Sequence, residues 1–259
     1  MIVIENLKKK FKKDWVLKGV NLTVDKGETK VIIGTSGCGK TVLLKHIIGL
    51  LKPDNGKIWV DGEDITTMGF RQLNKIRHKF GMVFQSSALF DSMSVEENLK
   101  LALRCVSDIS VEEARQHIRH CLALVGLKKV EQLYPTELSG GMKKRVAIAR
   151  AIVHNPTYIL YDEPTTGLDP ITADTITQLI NRLKEQLGVT SIVVSHDIIS
   201  TYKIADKVAM LHQGKIHFEG RTEELRQTTD PIVKQFIEAR APKIESVWQL
   251  KGERNEVQK

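Results

Sequence analysis

Cysteine is scarce in this chain. Cys38, Cys105 and Cys121 are an odd set of three with no metal-ligand spacing. They imply neither a disulfide frame nor a zinc site. Long hydrophobic runs are also missing, and none approaches the ~18 residues of a bilayer span. The longest clear one, Ile47 to Leu51, contains a glycine and falls in a predicted helix. Met1-Ile2-Val3-Ile4-Glu5 has no basic region leading into an apolar stretch, which argues against a secretory signal. The expectation is a cytosolic chain whose membrane-embedded companions, if any, are other polypeptides. No internal repeat and no low-complexity linker is visible. Blocks of one charge are absent too. The net charge is +8, yet the basic residues are scattered, with only small clusters such as Lys8-Lys9-Lys10 and Lys12-Lys13. Such scatter favours a solvated surface over a nucleic-acid or lipid face.

The 259 residues suffice for one large domain or two small ones, and 41% of them are apolar. Short β-like runs occupy residues 2–33: Ile2 to Ile4, Val20 to Val24, and a buried-type strand over Thr29 to Ile33. Val42 to Leu51 reads as a helix closed by Lys52-Pro53-Asp54-Asn55-Gly56. Lys57 to Val60 and Gly81 to Phe84 read as strands. Ser94 to Leu127 and Ser139 to Val153 read as helical. Tyr158 to Tyr161, Thr190 to Val194 and Lys207 to Leu211 return to strand, with helices between. This alternation predicts an α/β fold with a mainly parallel sheet. A helical subdomain is expected over about 86–150, within a domain spanning 1–220. A helical extension and charged tail are expected over 221–259.

Gly34-Thr35-Ser36-Gly37-Cys38-Gly39-Lys40-Thr41 fits the phosphate-binding pattern G-x-x-x-x-G-K-[ST], set between a strand and a helix beginning at Val42. A triphosphate must be held without a covalent bond. Successive backbone N–H groups in a glycine turn can surround it, and the helix N-terminus adds its dipole. Lys40 is expected to reach the β- and γ-phosphates, and Thr41 to offer its hydroxyl to Mg²⁺. Cys38 reads as a small residue tolerated in the loop. Tyr158 to Asp162-Glu163 is an apolar strand ending in two acids, a common site geometry at an open sheet edge. Asp162 suits the metal side. Glu163 suits a base that polarises the attacking water.

Pro164-Thr165-Thr166-Gly167-Leu168-Asp169 follows those acids, and Leu138-Ser139-Gly140-Gly141 precedes them. With Gln85 after a strand and Ser195-His196-Asp197 after another, the chain resembles an ATP-binding cassette (ABC) ATPase across residues 1–220. The resemblance implies an ABC-type P-loop fold with an N-terminal antiparallel β-subdomain. It implies ATP as substrate and Mg²⁺ as cofactor. It makes Phe11 the aromatic that stacks on adenine, with Trp15 as competitor. Gln85 becomes the glutamine that senses Mg²⁺, γ-phosphate and transporter. Ser139, Gly140 and Gly141 become the signature that binds γ-phosphate on a second copy of the chain. Asp169 lies between the two sites, and His196 is the switch histidine.

Several stretches narrow the resemblance: Met142-Lys143-Lys144-Arg145 after the signature, Ser86 to Val95 after Gln85, Asp169-Pro170-Ile171-Thr172-Ala173, Ile204 to Leu211 and Asp230 to Phe236. Together they look like the ATPases of Mla/Mce-type phospholipid transporters. That implies work at the cytoplasmic face of the inner membrane, on lipid moving between inner and outer membranes. The implied partners are a second copy, a permease, an Mce-domain lipid-binding protein and a STAS-domain protein. The permease would dock on 86–137. Ile232, Val233, Phe236 and Ile237 share one face of the tail, which serves an interaction surface or packing on its own domain. Two rival readings are an importer ATPase for another substrate, such as amino acids, and a soluble ABC protein acting on nucleic acid. The second would carry tandem cassettes or long insertions; the single motif set speaks against a nucleic-acid partner. A catalytically dead binding module is disfavoured by the presence of Glu163 and His196.

Overall fold

The computed structural model describes residues 1–104 and 110–238. Cys105 and the tail beyond Glu238, including the stretch after Pro242, lie outside the described residues. In chain order the elements are β1 (Ile2–Phe11), β2 (Asp14–Val24), β3 (Thr29–Ile33), α1 (Lys40–Ile47), β4 (Asn55–Val60), β5 (Glu63–Asp64), α2 (Phe70–Arg77) and β6 (Phe80–Val83). Then come α3 (Val95–Arg104), α4 (Val111–Leu124), a single 3₁₀ turn at Pro135–Glu137, α5 (Gly140–Ile152), β7 (Tyr158–Asp162), α6 (Pro170–Leu187) and β8 (Thr190–Ser195). The chain continues through α7 (Ile198–Ile204), β9 (Lys207–His212), β10 (Lys215–Arg221), α8 (Thr222–Gln227) and α9 (Pro231–Ile237). It divides into two compact units, Met1–Thr222 and Glu223–Lys259.

The first unit contains two sheets. A six-stranded sheet runs β10-β9-β3-β8-β7-β6, and a four-stranded sheet runs β2-β1-β4-β5. In the larger one β9, β3, β8, β7 and β6 are parallel, and only β10 joins antiparallel. Every residue of β3, β7 and β8 is buried, so these strands lack a polar alternation. That is the pattern of strands covered on both faces. The smaller sheet is wholly antiparallel. Its inner residues, among them Ile2, Ile4, Leu7, Leu17, Val20 and Val24, share a core with Leu43, Leu44 and Ile47 of α1. Burying each such side chain contributes about 1.5–3 kcal/mol. This shared core seats the antiparallel sheet against the helix that follows the glycine loop.

Two close approaches fix the layers. A Cβ at Gly81 would lie 2.1 Å from the Ala151 carbonyl oxygen, so β6 meets α5 backbone to backbone. A Cβ at Gly141 would lie 2.6 Å from Cγ2 of Thr172, so the start of α5 meets the start of α6 with no room for a methyl group. The buried Lys30 of β3 is matched by Glu28 at 3.1 Å and by Glu219 at 2.5 Å.

The helix expected over Val42 to Leu51 starts earlier, at Lys40, and stops at Ile47. Gly49 turns left-handed at φ +65°, which terminates it. The helix expected over Ser139 to Val153 runs from Gly140 to Ile152, because Ser139 is its N-cap and takes extended geometry. In the second unit, Asp230 caps α9, and Leu225 and Val233 are buried.

Candidate functional site

Open parallel sheets place ligands beyond the carboxyl ends of their strands. Here β3, β8 and β7 are adjacent and parallel, and they end at Ile33, Ser195 and Asp162. The residues next along the chain are the glycine loop, His196 and Glu163. Sheet topology therefore gathers three motifs that are far apart in sequence.

The glycine loop runs from Gly34 to Gly39. A Cβ at Gly34 would sit 2.4 Å from the Leu211 carbonyl oxygen, so only glycine fits there. Gly39 has φ +111° and hands the chain to α1, whose first residues are Lys40 and Thr41. Lys40 is buried, and its Nζ donates to the carbonyls of Gly34 at 2.8 Å and Thr35 at 3.2 Å. It also lies 3.4 Å from Glu163 Oε1. The Thr41 hydroxyl donates to Asp162 Oδ1 at 2.9 Å. Burial pushes the Asp162 carboxyl above its ordinary range, and the Thr41 hydrogen bond opposes that. Burial likewise raises the Cys38 thiol, so it stays protonated and gives the loop no thiolate.

Glu163 is strained and well held. Its φ is +50°, a left-handed value for a residue with a side chain, and its N–H donates to the Val194 carbonyl at 3.0 Å. Its Oε2 accepts from His196 Nδ1 at 2.8 Å and from the Thr166 hydroxyl at 3.2 Å. A cavity of about 560 Å³ opens over these groups, lined by Phe11, Val16, Ser36, Gly37, Gly39, Lys40, Thr41, Val42, Gln85, Glu163 and His196. Phe11 and Trp15 are equally exposed, at 44% each, but only Phe11 lines the cavity. Val16 in that lining carried no sequence signal, since the run read from the sequence begins only at Val20 whereas β2 begins at Asp14.

Ser139, Gly140 and Gly141 do not line the cavity. Ser139 Oγ accepts from the Met142 N–H at 3.3 Å, and the first turn of α5 is solvent-facing at Ser139 and Gly140. Asp169 caps α6 by accepting from Ile171 and Thr172, and the Thr172 contact holds its carboxyl below the usual range. A further functional candidate is Lys144. Its Nζ donates to the Gln85 carbonyl at 2.6 Å and to the Glu163 carbonyl at 3.4 Å. In the sequence it is one member of a basic run, with nothing to mark it as buried.

A glycine loop between a buried strand and a helix, with paired acids ending a neighbouring strand, defines a P-loop nucleoside triphosphatase. The model of the ABC transporter family matches residues 17–166, and the chain belongs to that family. It is 43% identical over 237 residues to the intermembrane phospholipid transport system ATP-binding protein MlaF of Haemophilus influenzae, covering 92% of this chain and 90% of that protein. The methionine import ATP-binding protein MetN of Carboxydothermus hydrogenoformans is 39% identical over 241 residues, covering 92% of this chain and 71% of that protein. A solved dimeric ATP-binding cassette in a post-hydrolysis state, bound to ADP and Pi, superposes with a TM-score of 0.79 at 35% identity, covering 85% of this chain and 98% of that one. The chain is an ATP hydrolase of the ABC type, the ATP-binding subunit of a transporter. Among the described residues no helix is long and apolar enough to cross a membrane.

Proposed function

We propose that this subunit energises phospholipid transport between the inner and outer membranes, acting from the cytoplasmic face of the inner membrane. It would work as an ATP-sandwich dimer on a permease, with Mce-domain and STAS-domain proteins as further partners. The convergence of Lys40, Thr41, Glu163 and His196 on one cavity, with Asp162 hydrogen-bonded to Thr41 behind it, carries the hydrolytic part of this reading. The likeness to MlaF supports the lipid part.

ATP enters as substrate. The loop N–H groups and Lys40 bind its phosphates, and Phe11 offers a face to adenine. Mg²⁺ takes oxygen ligands. Thr41, Gln85 and Asp162 provide a hydroxyl, an amide and a carboxylate, an all-oxygen set that fits it. When bound, the ion would neutralise charge on the phosphates. Glu163 accepts a proton from the attacking water, and His196 orients that carboxylate through Oε2. In the structure Glu163 Oε1 faces the Lys40 ammonium. A γ-phosphate competes for that ammonium, which leaves Glu163 freer to act as a base once substrate is seated. Ser139, Gly140 and Gly141 of a second copy would cover the outer face of the γ-phosphate and exclude water.

Co-purification of the native complex tests the transport reading. An Mce-domain partner with bound phospholipid supports it. A soluble amino-acid-binding protein in its place would favour the importer reading that the MetN likeness keeps open.

A further inference from the structure

Helix α5 carries the signature at its N-terminus, and its body bears two cations turned onto backbone carbonyls. Lys144 is 5% exposed, and its Nζ donates to Gln85 O at 2.6 Å and Glu163 O at 3.4 Å. Among the described residues no carboxylate oxygen lies within ion-pair distance of it. Burying an ammonium costs several kcal/mol, and an apolar side chain of similar volume is often the more stable choice. Burial pushes the Lys144 pKa down, and the charges of Asp162 and Glu163 oppose that. Six residues further on, Arg150 donates to the Ala88 carbonyl at 2.6 Å and the Ser87 carbonyl at 2.9 Å. Ser87 and Ala88 have φ of +65° and +48°. Consecutive left-handed residues with side chains persist only when their surroundings hold them. Glu163, at φ +50°, is a third such residue, and Lys144 touches it too. Ser87, Ala88 and Glu163 are thus all fastened to one helix, through main-chain oxygens.

We propose that Lys144 is a positioning residue for ATP hydrolysis, tying the backbones of Gln85 and Glu163 to the helix whose signature end meets a second copy's nucleotide. A movement of the α5 N-terminus on docking is then delivered to Gln85 and Glu163 of the same chain, while Arg150 keeps the intervening loop in one path. The inference rests on the roles given above to Gln85 and Glu163.

The test compares Lys144→Met, Lys144→Arg and Glu163→Gln in the full chain. It reads the affinity for a fluorescent ATP analogue, kcat, KM and the melting transition. Displacements near 1 Å at reacting groups can cost about 10²-fold in rate. The expected result for Lys144→Met is a kcat lowered at least tenfold with analogue affinity little changed, and for Lys144→Arg a substantial recovery of kcat. A wild-type kcat in Lys144→Met overturns the inference. So does a loss in which kcat, affinity and melting fall together and arginine is no better than methionine. Should Lys144→Met not fold, Lys144→Gln decides by the same split. Normal hydrolysis by Glu163→Gln overturns the reading underneath. An inactive Glu163→Gln beside a fully active Lys144→Met overturns this inference alone.

Discussion

The phosphate-loop end and the signature end of this chain differ in how much of their polar capacity is used internally. Around the loop, Lys40, Thr41, Asp162, Glu163 and His196 all contact one another or the loop backbone. At Ser139 to Gly141 one hydroxyl serves as a cap, and the other donors of a helix's first turn have no partner within that helix. Such a terminus is a ready anion site, and here it faces solvent. In the reading proposed above, one region holds a triphosphate and the other is offered one. The sequence places both in every copy, so the contrast is what makes a paired arrangement of chains chemically sensible.

The comparison can be broken at the loop end with the largest effect. Glu163→Gln should lower hydrolysis by about 10²–10⁴-fold, the usual worth of a general base, while ATP binding persists. Steady-state turnover and nucleotide binding, measured on one preparation, check it. Lys40→Ala should weaken ATP binding by more than tenfold, since a buried charge-assisted contact costs about 2–5 kcal/mol to remove. Unchanged affinity in a titration would remove the loop from the account.

Smaller effects sharpen the scaffold beneath both ends. Gly81→Ala forces a methyl group against the Ala151 carbonyl and should cost about 1–3 kcal/mol in chemical denaturation. Smaller still is an acid effect at α1. His46 is buried, with Nδ1 on the Val42 carbonyl and Nε2 without a partner. Burial lowers its pKa below the value of about 6.5 it has in the unfolded chain. Above that value both states are neutral and His46 contributes no pH dependence. Below it the unfolded chain binds a proton that the folded one refuses, so stability falls as pH falls toward the folded pKa. Burial moves His154 the same way. Melting between pH 7.5 and 5.5 should show the decline, and His46→Leu should flatten part of it.

Much of this contrast was legible in the sequence, because it rests on local rules. The loop from Gly34 to Thr41 announces itself by glycine spacing, and β3 runs over Thr29 to Ile33 as the apolar run predicts. Strand β7 delivers Asp162 and Glu163 as an apolar run ending in acids should. Helix α2 went unread because its turn-to-turn apolar contacts are few, with only Leu73 and Ile76 buried in a polar segment. Strand β10 alternates half-buried and exposed positions at a sheet edge, too weak a signal beside the apolar β9. Lys144 could not be read at all. Its significance lies in two carbonyls, 59 and 19 residues away, that only the sheet order brings together. Which of Phe11 and Trp15 borders the cavity could not be read from the sequence for the same reason.

The central claim is that the signature end acts on the nucleotide of another copy. Sedimentation of Glu163→Gln with ATP, beside the double variant carrying Ser139→Arg as well, measures it most directly. The account predicts an ATP-dependent dimer for the first and an ATP-bound monomer for the second. A first variant that stays monomeric with ATP bound, or a dimer that survives Ser139→Arg, would contradict it.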